Sequence, residues 1–102
     1  MPDRLHALEG MLERRPDDPR LRFGLALEYL SGERWEDAVR ELRAYLDLTE
    51  DEGNAWGRLA GALRELGRED EATEAYRKGI EVATRHGHPS MAEEFQNALD
   101  DG

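Results

Sequence analysis

The sequence predicts an all-α fold of about six helices paired into antiparallel hairpins, and three observations carry that prediction. Apolar residues recur at helical spacing along most of the chain. Prolines, glycines and short polar runs break that periodicity at several places without any Pro-, Gly- or Ser-rich linker. The stretch FGLALEYLSGERWEDAV, Phe23 to Val39, is echoed thirty-four residues later by GRLAGALRELGREDEAT, Gly57 to Thr73.

The first helix is expected from Asp3 to Arg15, with Leu5, Leu8, Met11 and Leu12 on one face, and it stops before Pro16 because the residue preceding a proline disfavours the helical region. Asp18-Pro19 restarts the chain: the carboxylate can accept from first-turn amides, and proline fits the first helical position, where its missing donor is not needed. The second helix runs to about Leu30, broken by Ser31-Gly32, and the third from about Trp35 to Leu48, with Val39, Leu42, Tyr45 and Leu46 facing inward. After TEDEGN, a fourth helix spans about Ala55 to Leu66 and ends at Gly67, and a fifth spans about Glu69 to Arg85. HGHP ends the fifth. Ser90, with Glu93 three residues on, reads as a capping box for a sixth helix over 89–100, whose Met91, Phe95 and Leu99 form one stripe.

At 102 residues the chain reads as a single domain, 1–102, large enough to stand on packing alone. It contains no cysteine, which excludes disulfides, zinc-thiolate sites and thiol chemistry. No apolar run has the length of a signal-peptide core or a membrane span, so the sequence reads as soluble and cytoplasmic, with no membrane partner. The formal net charge of -10 has the wrong sign for a nucleic-acid backbone or an anionic lipid surface, leaving a self-repelling solvated surface or a preference for basic partners.

Superposing 19–52 on 53–86 needs no gap. Identities fall at Leu25/Leu59, Ala26/Ala60, Arg34/Arg68, Ala38/Ala72 and Arg43/Arg77, and the chemistry also matches at Tyr29/Leu63, Leu42/Tyr76 and Leu46/Ile80. Small residues recur where two helices of a hairpin must approach closely, so what repeats is packing.

This pattern resembles the tetratricopeptide repeat family, whose unit is a helical hairpin of this length. The second unit shows Trp56, Leu59, Ala60, Leu63, Gly67, Ala72 and Tyr76 at the family's positions. The first keeps Leu25, Ala26, Tyr29, Ala38 and Leu42, but has Arg22 where the tryptophan stands and Glu33 at the turn position, with Gly32 displaced by one. Glu50 and Thr84 replace the closing proline, which Pro16 supplies for an N-terminal half-repeat over 3–16, and Arg4 there takes the place of the packing alanine. The sixth helix would be the terminal cap that such arrays require.

The resemblance implies a right-handed superhelix, a solenoid in which the first helix of each unit lines a concave groove, and a non-catalytic adaptor or scaffold that binds a peptide or helix of another protein there. The groove-facing positions are Arg20, Phe23, Leu27, Leu30 and Ser31 in the first unit, and Asn54, Gly57, Gly61, Arg64 and Glu65 in the second. Gly57 and Gly61 lie inside a helix, where each glycine costs roughly 1 kcal/mol against alanine. Three occupants could require them: a ligand backbone, a helix of a second copy, or the sixth helix folding over with Met91 and Phe95. The competing functional reading is a homo-oligomer, such as a homodimer, assembled through the repeat ends or the glycine-containing helix.

Trp35 and Trp56 read as core or semi-core residues, Arg58, Arg64 and Arg68 as partners of nearby glutamates, and His6 as half-buried. His86 and His88 have no third ligand at obvious spacing, so neither a metal site nor a cofactor is expected. No phosphate loop or nucleophile-base motif is present, and the carboxylates are spread over helix surfaces, which argues against an enzyme.

Overall fold

The computed structural model describes residues 2–101, and side chains from residue 4 onward. The described chain forms six helices: α1 (Pro2–Arg14), α2 (Pro19–Ser31), α3 (Trp35–Leu48), α4 (Asn54–Glu65), α5 (Glu69–Arg85) and α6 (Pro89–Asp101). Their contacts gather into two compact units, one ending at Glu50 and the other beginning at Asp51, so the division falls in the TEDEGN stretch. Among the described residues no helix is long and apolar enough to cross a membrane.

The first unit holds α1, α2 and α3. Asp18 caps α2 as expected, its Oδ1 accepting from the Arg20 amide at 2.9 Å, with Pro19 at the helix start. Leu25, Tyr29 and Ala38 form the buried centre, against which Leu5, Leu8, Leu12 and Leu30 pack, so the apolar face of α1 closes one side of the α2–α3 hairpin. Ala26 and Ala38 are fully buried, as the close approach of the two helices demands. The hairpin turn is a Schellman motif: Arg34 N–H donates to the Tyr29 carbonyl at 2.8 Å and Glu33 N–H to the Leu30 carbonyl at 3.1 Å. Glu33 occupies its left-handed position with φ 58°.

The second unit holds α4, α5 and α6. The same turn recurs with glycine in the left-handed position, Gly67 at φ 75° after α4 and Gly87 at φ 77° after α5. Arg68 N–H donates to the Leu63 carbonyl and His88 N–H to the Ala83 carbonyl, closing both motifs. Asp51 starts the unit: its Oδ2 accepts from the amides of Gly53 and Ala55, each at 2.8 Å, so α4 begins one residue earlier than its apolar pattern suggests. Leu59, Ala60, Leu63, Ala72, Ala75, Val82, Ala83 and Phe95 are buried.

Two local expectations are corrected. The capping box at Ser90 does not form, because Pro89 already takes the first helical position, the Ala92 amide bonds the His88 carbonyl, and Ser90 lies inside α6. His6 is exposed rather than half-buried, since the inward face of α1 is filled by its leucines.

Candidate peptide-binding site

The glycines of α4 separate into two kinds once α6 is in place. A Cβ at Gly57 would stand 2.4 Å from Phe95 Cε1 and 2.5 Å from its Cζ, and one at Gly79 on α5 would stand 2.9 Å from the same ring. Phe95 therefore lies in a seat made by two absent side chains, with the Tyr76 ring 5.9 Å away at a tilt of 49°. Met91 fills the space beside Gly53 in the same way. Gly57 thus answers to the protein's own sixth helix. Gly61 does not, because a Cβ there meets nothing within 4 Å.

Beside this seat a pocket of about 300 Å³ opens between α4, α5 and α6, lined by Asn54, Gly57, Arg58, Tyr76, Glu94, Phe95 and Ala98. Of the α4 residues nominated from the sequence, Asn54 and Gly57 reach it, and Arg58, read there as a glutamate partner, stands at its wall. Arg64 is engaged internally: Nη2 donates to the Ala98 carbonyl at 2.8 Å, Nε stands 3.8 Å from Glu69, and the guanidinium lies 4.9 Å from the centre of the Tyr76 ring. It ties α6 to α4 and α5. His88 adds a second tie, with Nε2 2.6 Å from Glu52 Oε1. That contact holds the Glu52 carboxyl below the usual glutamate range. The neighbouring His86 keeps Nε2 buried without a hydrogen-bond partner.

In the first unit Arg20 and Ser31 are exposed, and Leu27 is half-buried. Leu30 packs on the core cluster, and the Phe23 ring rests on Tyr45 with centroids 4.9 Å apart. Phe23 is therefore also a packing residue of the α2–α3 hairpin.

The feature that site reasoning passed over lies elsewhere in this unit. Arg22 Nη1 donates to Glu41 Oε1 at 2.8 Å, with the Glu41 side chain only 5% exposed, and Arg40 Nε reaches the second oxygen at 3.2 Å. Beside the pair is a pocket of about 410 Å³ lined by α1, α2, α3 and the turn at Pro16. Tyr29 donates from its hydroxyl to Glu9 at 2.9 Å, and burial together with that carboxylate pushes the phenol pKa up. The signal was present in the sequence: Arg22 stands where the family has tryptophan, and Glu41 stands thirty-four residues before Ala75.

A tetratricopeptide-repeat family model matches residues 2–81. The solution structure of a protein from Bordetella parapertussis superposes with a TM-score of 0.80 at 31% sequence identity, covering 95% of this chain and 84% of that one. No curated protein matches the sequence. With the thirty-four-residue repeat, the recurring hairpin turns and the alanine-mediated packing already established, the chain belongs to the tetratricopeptide repeat family.

Proposed function

We propose that the chain is a non-catalytic interaction module that takes an extended segment of another protein along the face of α4 carrying Asn54, Arg58 and Gly61. The single observation that supports this reading is the contrast between the glycines of α4. Gly57 is required internally by Phe95, whereas Gly61 weakens the helix and meets no neighbour, which suits close approach by a ligand backbone. Asn54 and Arg58 stand on the same side at helical spacing and can donate to the carbonyls of such a segment. The family membership supports the general class, since its hairpins serve as protein-protein interaction modules.

Gly61→Tyr tests the reading, because the new side chain enters open space and removes a helix-interior glycine. The expected result is a chain as stable as the parent or up to about 1 kcal/mol more stable, which no longer retains the proteins that the tagged parent captures from its own lysate. Gly10→Tyr is the control, since Gly10 also lies in open space within a helix, and it should gain similar stability while keeping capture. Undiminished capture by Gly61→Tyr would refute the α4 assignment.

A further inference from the structure

The pocket of the first unit has walls of unequal character. Leu12 and Pro16 supply apolar surface, with the buried Leu25 and Tyr29 behind them, while Glu9, Glu13, Arg22, Arg40 and Glu41 supply charge. Both guanidiniums are committed: Arg22 to Glu41 and the Pro16 carbonyl, Arg40 to Glu41 and Asp37. The carboxylates are not all committed. Glu9 accepts one hydrogen bond, from Tyr29 to Oε2, and Glu13, one helical turn along the same face of α1, has no hydrogen bond or ion pair among the described residues. The pocket therefore offers uncommitted acceptors over an apolar floor, in a chain whose formal net charge is -10.

We propose that this pocket receives an arginine side chain from a basic segment of a partner protein. A planar guanidinium can bridge Glu9 Oε1 and Glu13 with its forked donors, while its methylene stem covers Leu12 and Pro16. The acidic surface would draw such a segment in. Lipid headgroups and nucleic-acid phosphates are the wrong sign for this wall. The pocket belongs to α1, α2 and α3, so this inference stands or falls separately from the α4 reading.

The test is a titration of the full chain with a blocked Gly-Arg-Gly tripeptide, followed by backbone amide shifts, with blocked Gly-Glu-Gly as the control. The expected result is saturable shifts confined to the amides around Glu9, Glu13, Arg22, Tyr29 and Glu41, at a dissociation constant on the order of 1 mM for a single anchored side chain. Glu13→Gln, an exposed substitution, should weaken binding at least about threefold, and Glu13→Lys should abolish it. Transplanting the second unit's pair as Arg22→Trp with Glu41→Ala should fill the pocket and also abolish binding. Shifts that do not saturate, equal binding of the acidic tripeptide, or an unchanged constant in Glu13→Gln would each overturn the proposal.

Discussion

The two hairpins solve the same packing problem with opposite side chains. Where α4 and α5 carry Gly57 and Gly79, the equivalent positions of α2 and α3 carry Phe23 and Tyr45, whose rings meet at a tilt of 41°. Where the second unit has Trp56 and Ala75, the first has the ion pair Arg22–Glu41. Both members of each pair have changed together, large with large and small with small, or large plus small for two opposite charges. The repeat thus conserves filled space between two helices rather than residue identity. Each departure also has a consequence: the empty glycine pair admits Phe95, and the ion pair leaves a polar pocket beside it.

The glycine seat gives the largest expected effect. Phe95→Ala empties a seat that neither Gly57 nor Gly79 can fill, and should destabilise the chain by about 3–5 kcal/mol in urea unfolding. Phe23→Ala in the first unit should cost clearly less, since its ring is only half-buried and a single aromatic partner is lost. Equal losses at the two positions would show that the seat is not special.

The charged pair gives the next effect. Arg22→Ala strands Glu41, 5% exposed, with only the 3.2 Å contact to Arg40, and should cost about 2–3 kcal/mol. The double change Arg22→Trp with Glu41→Ala recreates the second unit's solution, so it should be less destabilising than the sum of its single changes by about 1–3 kcal/mol. Additivity within error in a double-mutant cycle would mean that the two positions are not a packing unit.

Most of the fold was legible because hairpin packing writes itself twice. Leu25, Ala26, Tyr29 and Ala38 are all buried, and so are Leu59, Ala60, Leu63 and Ala72. The start of α4 was less legible, because Asp51 reaches over two residues to cap it and no apolar period marks that contact. The nominated groove residues were read by repeat position, which cannot tell a glycine spent on the chain's own α6 from one left open; only the position of Phe95 separates Gly57 from Gly61. The Arg22–Glu41 pair was missed for a related reason. Arg22 in place of the family's tryptophan and Glu41 opposite Ala75 are both visible as departures, but only the fold shows that these two positions, nineteen residues apart, face each other.

The turn positions supply a smaller effect of opposite sign. Glu33 adopts φ 58° where Gly67 does the same work at φ 75°, and a side chain in that region carries strain of about 1 kcal/mol. Glu33→Gly should therefore raise stability by up to about 1 kcal/mol, and Gly67→Glu should lower it by a similar amount, both read from thermal unfolding.

The smallest contrast concerns charge next to those turns. Both units place an arginine three residues before a carboxylate at the start of the second helix, Arg34–Asp37 and Arg68–Glu71, but the first adds Arg40 on the other side of Asp37 where the second has Glu74. Hydrogen bonds from Arg40 and then Arg34 outweigh desolvation and hold the Asp37 carboxyl below the usual aspartate range. A depressed folded value means that the ionised form favours folding. Its contribution is fully present above the unfolded aspartate value and is lost as pH falls through the lower folded one. Asp37 is partly exposed, so the contribution should not exceed about 1 kcal/mol and should shrink in salt. Asp37→Asn should lower stability near neutral pH by that small amount and flatten the acid limb of a stability-versus-pH curve. An acid limb unchanged by Asp37→Asn would assign the acid sensitivity of this protein to other carboxylates, Glu52 beside His88 first among them.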